Sequence, residues 1–158
     1  MNLHFQDEFI VDANVQHVWE LLTNIDEVRK IIPDLREYEF IDSNQARVVL
    51  GVGLGLMKGS FRMLLTIDPI EPQRATKIMC VGDGLQSRAS IIINLCLEPL
   101  SDSTRIRWDA DVSITGLIAN VGTKIIYDTT KRKVTQIVEG ISRVPQKNHW
   151  KTGSPPKR

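Results

Sequence analysis

Cysteine is scarce in this chain: two residues in 158, Cys80 and Cys96. Both fall in apolar strand patterns with no second ligand near either. Two buried, reduced thiols are therefore expected, with a disulfide the lesser alternative. Histidine is as scarce, and His4, His17 and His149 have no ligand spacing to one another or to a cysteine, so no metal site is expected. Neither sign of charge dominates, with 20 Lys+Arg, 19 Asp+Glu and a formal net charge of +1, so the chain as a whole carries no nucleic-acid signature. No apolar run approaches the length that spans a bilayer. The stretch Met1–Glu8 is polar and acidic, unlike a signal peptide, which predicts a soluble, cytoplasmic protein. There is no nucleophile elbow and no internal repeat. The glycine-rich stretch Gly51–Gly59 lacks a GK[ST] ending and leads into a strand, so it serves sheet bending and a turn rather than a phosphate. No catalytic residue and no cofactor are expected.

What is present is a run of strand patterns closed by one long helical pattern. Residues 3–11 read as a strand. Asp12-Ala13-Asn14 breaks it and offers a helix cap, and Val15, Val18, Trp19 and Leu22 at helical spacing give a short helix over 14–23. A second short helix over 25–32 stops at Pro33. Strands follow at 35–41, 45–54 and around 61–68, then at 74–81, 85–98 and 104–115, with Gly82-Asp83-Gly84 read as a hairpin turn. In 104–115 the residues Ile106, Trp108, Ala110, Val112 and Ile114 share one face, while Asp109 and Asp111 alternate onto the solvent face, away from any site. Residues Gly116–Ile141 read as one long helix. The fold class is therefore α+β: a curved antiparallel meander with two short helices after strand 1 and a long C-terminal helix packed across the sheet. Residues 1–143 form one domain. Residues 144–158 form a basic tail expected to be disordered.

A helix laid over a curved sheet cannot touch it everywhere, so a cavity between the two is expected. Parity assigns its walls to Phe61, Met63, Leu65, Ile91, Ile93, Trp108 and Ala110 on the sheet, and to Ile118, Gly122, Ile126 and Thr129 on the helix. The helix stripe is interrupted by Thr129, Thr130 and Lys133. Two readings of the interruption stay open: side chains snorkelling past the helix edge, or a polar spot that orients a ligand. Asp7 and Ser87 have inward parity and are further polar candidates, and an inward Asp7 and Lys133 would satisfy each other.

Three blocks of residues resemble a known family. They are Val11-Asp12-Ala13 with Val18-Trp19-Glu20-Leu21-Leu22 and Ile32-Pro33; Gly51-Val52-Gly53 with Met57-Lys58-Gly59-Ser60-Phe61; and Trp108-Asp109-Ala110-Asp111 through Gly122-Thr123-Lys124-Ile125-Ile126. Over residues 3–141 the chain resembles the carbon monoxide dehydrogenase G-subunit (CoxG) family of the START/polyketide-cyclase-like (SRPBCC) superfamily. The resemblance implies a helix-grip fold and a non-enzymatic accessory to a carbon monoxide dehydrogenase or related molybdenum hydroxylase. It also implies a quinone- or lipid-like apolar ligand in the cavity and a part in membrane recruitment. A polyketide cyclase or aromatase on the same fold, or an adaptor with a solid core, are the alternatives. Lysine at position 133, where the family favours Leu or Ala, is a departure.

The tail adds charge asymmetry. Residues 1–139 carry 15 Lys+Arg against 19 Asp+Glu, a net of −4, whereas 140–158 hold five basic residues and no acid. Two readings of the tail stay open: an ordinary solubilising terminus, or Lys147, Trp150 and Lys151 as contacts to an anionic membrane or an acidic partner, which would give a peripheral location at the inner face of the cell membrane.

Overall fold

The structure, a computed structural model, describes residues 1–146. The tail residues Lys147, Trp150 and Lys151 lie outside the described residues. Seven strands form one curved antiparallel sheet: β1 (Asn2–Val11), β2 (Leu35–Asp42), β3 (Gln45–Leu54), β4 (Met57–Glu71), β5 (Ala75–Gly84), β6 (Ser87–Pro99) and β7 (Thr104–Gly116). Their spatial order is β1-β7-β6-β5-β4-β3-β2. Strands β2 to β7 form a meander of consecutive hairpins, and β1 joins the far edge by pairing with β7, Phe5 opposite Ala110.

The chain crosses from one sheet edge to the other through α1 (Val15–Thr23) and α2 (Ile25–Val28). Asn14 caps α1, its side chain accepting from the His17 N–H at 2.9 Å, and Asn24 caps α2. The second helix is shorter than the 25–32 expected: three-residue turns, with Lys30 N–H donating to Glu27 O and Ile31 N–H to Val28 O, replace it ahead of Pro33. Val18, Leu21, Leu22, Ile25, Val28 and Ile31 are all buried, each contributing about 1.5–3 kcal/mol. With α1 against β4 and β6, and α2 against β2, these helices fill one end of the concave face.

Two expectations about turns and helices are corrected. Gly82-Asp83-Gly84 is not the hairpin turn but the end of β5. The turn is Leu85-Gln86, both residues in the left-handed region at φ 51° and 55°. The glycines are needed inside the strand, because a Cβ at Gly82 would lie 1.8 Å from the Arg62 carbonyl oxygen of β4. Here the β4 and β5 backbones approach too closely for any side chain. Nor is 116–141 one helix. A 3-10 helix (Leu117–Asn120) is followed by Gly122 at φ 115°, and only then by α3 (Thr123–Arg143). The left-handed glycine ends one helical segment and starts the next in a new direction.

Helix α3 spans the concave face, meeting β1 on one side and β3 on the other. Near its start Tyr127 stacks on Phe5 at 5.2 Å between ring centroids. Near its end Gly140 is buried close to Ile31. The two cysteines are separated by strand parity: Cys80 is on the inward face of β5, whereas Cys96 is exposed on the outer face of β6, contrary to the expectation that both are buried.

Candidate functional site

The residues expected to wall a cavity lie on the inward face of β4, β6 and β7 and along the C-terminal helical segments. The predicted wall divides by burial. Phe61, Met63, Leu65, Ala110, Ile118 and Ile126 are buried, while Ile91, Ile93, Trp108 and Thr129 are half-buried. Gly122 leaves this set: it is the break before α3, and a Cβ there would meet nothing within 4 Å. Ile125 is exposed, because the helix starts seven residues later than expected and its phase is set from Ile126 onward. From there the stripe runs Ile126, Thr130, Lys133, Ile137 and Ile141 at spacings of three and four. Of the 21 residues of α3, only Ile126, Gly140 and Ile141 are buried. The middle of the helix, including Thr129, Thr130, Lys133 and Ile137, is half-buried over the sheet.

Each polar candidate has other work. Ser87 is buried; its hydroxyl donates to Leu85 O and accepts from the Ile118 N–H at 2.8 Å, tying the 3-10 helix to the β5–β6 turn. The Thr130 hydroxyl donates to Ile126 O at 2.8 Å within its own helix, leaving its methyl to pack. The expected Asp7–Lys133 pair does not form. Lys133 Nζ pairs with the Asp34 carboxylate, and Asp7, exposed on the edge strand, accepts from the Glu8 N–H at 2.8 Å. Asp34, at φ 59°, also accepts the Gly51 N–H through its carbonyl. The Lys133 contact thus ties the middle of α3 to the loop before β2.

The group that sequence reasoning missed is the indole N–H of Trp108. Trp108 points inward from β7, opposite Asp7 on β1 and Leu95 on β6, and its ring stacks on Phe9 with centroids 6.5 Å apart. Its Nε1 is buried and meets no hydrogen-bond acceptor among the described residues. Indole is a donor only, and a buried donor without a partner costs about 1–3 kcal/mol. The signal in the sequence was a tryptophan among Ile106, Ala110 and Val112, which places an indole donor on an otherwise apolar strand face.

Two clefts lie away from the predicted apolar wall. One, of about 690 Å³, lies between α1, α2 and the end of α3, lined by Asn14, His17, Glu20, Glu27, Lys30 and Arg143 among others. The buried His17 there has a ring nitrogen 3.0 Å from Val144 O. A second cleft, of about 430 Å³, lies at the β5–β6 turn beside Ser87 and Gly116. Among the described residues no group of His, Cys, Asp or Glu is arranged to hold a metal ion, and no helix is long and apolar enough to cross a membrane.

The family model for the carbon monoxide dehydrogenase G-subunit (CoxG) matches residues 8–144. The chain belongs to the CoxG family. No curated protein matches it. Among solved structures, this CoxG chain is similar to a conserved protein from Geobacillus kaustophilus, with a TM-score of 0.82, 18% identity, and coverage of 89% of this chain and 93% of that one. It is also similar to the Zhui aromatase/cyclase from a Streptomyces species, with a TM-score of 0.63, 13% identity and coverage of 90% and 92%. A START superfamily protein from Mycobacterium smegmatis follows, with a TM-score of 0.60, 15% identity and coverage of 88% and 94%. These likenesses establish the START-like helix-grip fold, with its seven-stranded sheet and long C-terminal helix.

Proposed function

We propose that this CoxG chain is a non-enzymatic carrier. It binds an apolar, quinone- or lipid-like molecule between α3 and the sheet, and serves a carbon monoxide dehydrogenase-type molybdenum hydroxylase at the inner face of the cell membrane. Family and fold together support a ligand-binding accessory role. The observation that carries the reading is the unpartnered Trp108 N–H on the inward wall, in a fold whose long helix is only half-buried along its middle. A ligand with one hydrogen-bond acceptor on an apolar body satisfies that donor and packs on the inward side chains next along β6 and β7, Ile93, Ala110 and Ile91. Burial of about 400 Å² of ligand surface contributes roughly 10 kcal/mol gross, against an association cost of about 4–15 kcal/mol. Apolar contact alone gives modest affinity, and the acceptor gives orientation. An inward Asp7–Lys133 pair would have favoured the cyclase alternative, and Lys133 bonds Asp34 instead.

Native mass spectrometry of the purified full-length chain, with organic extraction of whatever co-purifies, tests the reading. A bound quinone or acceptor-bearing lipid is expected. If a wide panel of quinones and fatty acids shows no binding, the carrier function is wrong.

A further inference from the structure

Three chain segments meet at one end of the molecule. The β3–β4 turn, Gly55-Leu56, approaches the start of α3: a Cβ on Gly55 would lie 3.9 Å from Ile125 Cδ1. The β5–β6 turn packs on the base of the same hairpin, with Leu85 filling the space above Gly59. The 3-10 helix is bonded to that second turn, Leu117 N–H donating to Gln86 O at 3.1 Å. This apex exposes apolar side chains, one of them completely. Leu56 is 103% exposed, Leu117 45% and Ile125 39%.

Its charge is as distinctive. Segments 53–60, 84–88 and 114–125 contain Lys58, Arg88 and Lys124 and not one acidic residue, while residues 1–139 as a whole are net negative by four charges. Asp83 and Asp128 flank the segments, and Asp128 is paired with Lys124 at 2.8 Å.

We propose that this apex docks on an anionic lipid bilayer, with Leu56 entering the headgroup region and Lys58, Arg88 and Lys124 ringing it against the phosphates. The apolar residues stand singly on turns and at a helix start. They supply a small fraction of the roughly 800 Å² per side that a stable protein interface buries. A bilayer demands no shape complementarity, takes up isolated apolar side chains, and attracts basic residues at its surface. The inference rests on the membrane-recruitment part of the function proposed above, and it assigns the contact to the body of the fold instead of the tail.

Flotation of the full-length chain with phosphatidylglycerol/phosphatidylcholine vesicles and with phosphatidylcholine vesicles tests it. The parent chain is expected to float with the first and not the second, and Leu56→Asp to lower the bound fraction about tenfold. Because Leu56 is fully exposed, Leu56→Asp leaves Tm unchanged, which verifies folding. In Leu56→Trp, the new indole is expected to be quenched by brominated lipid. If Leu56→Asp floats like the parent, or only Lys147→Glu with Lys151→Glu abolishes flotation, the apex is not the contact although recruitment stands. If the parent floats with neither vesicle, recruitment itself falls. If Leu56→Asp instead dissolves a self-associated form that never floats, the patch is a protein interface and the proposal is overturned.

Discussion

Replacing Trp108 with Phe isolates the group on which the ligand assignment turns. In the free protein the substitution has two opposed effects. It removes a buried donor that lacks a partner, a gain of about 1–3 kcal/mol. It also deletes ring atoms from a half-buried inward position stacked on Phe9, a loss of about 1–2 kcal/mol for partial truncation of a packed aromatic. The two nearly cancel, so Tm is expected to move by less than about 4 °C. Binding is not balanced in this way. A ligand whose carbonyl accepts from the indole loses a hydrogen bond worth about 0.5–1.5 kcal/mol, which weakens Kd roughly 2- to 13-fold. A hydrocarbon of the same length with no acceptor loses nothing. Calorimetric titration of the parent and Trp108→Phe chains with an isoprenoid quinone and with its acceptor-free hydrocarbon analogue gives the comparison. Equal weakening of both ligands, or of neither, refutes the role assigned to the indole N–H. A fall in Tm far beyond the expected range shows that the ring matters for packing alone.

Further outcomes follow from the geometry. Gly82→Ala places a Cβ 1.8 Å from the Arg62 carbonyl, so urea denaturation is expected to show a loss of about 3 kcal/mol or more. Gly53→Ala, with nothing within 4 Å, changes stability by less than about 1 kcal/mol. Ellman's reagent is expected to titrate Cys96 alone in the folded chain and both cysteines in denaturant, because burial pushes the Cys80 thiol up to about 12 from 9.0. The unfolded chain releases that proton first, so stability falls as pH rises from about 9 to about 12, by about 1.4 kcal/mol per unit. Cys80→Ala flattens this slope, and urea melts of the two chains across the alkaline range read the difference. Lys133→Met breaks the half-exposed pair with Asp34, costing at most about 1 kcal/mol at low salt. The loss shrinks at high salt, and thermal melts at two ionic strengths measure it.

The strands were legible because period-two alternation survives wherever one sheet face is buried. Segment 45–54 matches β3 residue for residue, and the outward placement of Asp109 and Asp111 follows from the same parity, their partners being Asn94 and His4. Misreadings arose where local and long-range signals compete. Gly-Asp-Gly at 82–84 looks like a turn locally, but its glycines answer to the β4 backbone beside them. The pattern after Gly116 looks continuous at helical period, yet one left-handed glycine divides it. For the site, wall positions were readable from parity, but pairings were not. Nothing in sequence spacing indicates that Lys133 meets Asp34, because that contact depends on where a six-residue connection between α2 and β2 passes beneath α3.

The pairing of β1 with β7 shapes how the chain reaches its folded state. Of the seven strands β1 is made first, yet its only partner in the sheet is made last, and β2 lies at the opposite edge. Until residue 116 has left the ribosome, β1 has no strand to bond and carries Leu3, Phe5 and Phe9 as an unmatched apolar row. Once the meander closes, the same edge of β7 accepts a β1 from its own chain or from another. The Asp12–Asn14 link, fastened by Thr104 donating to the Ala13 carbonyl at 2.8 Å, is what makes the intramolecular choice the shorter path. Loosening that latch favours exchange of β1 between two copies, a swapped dimer whose every sheet contact is the native one.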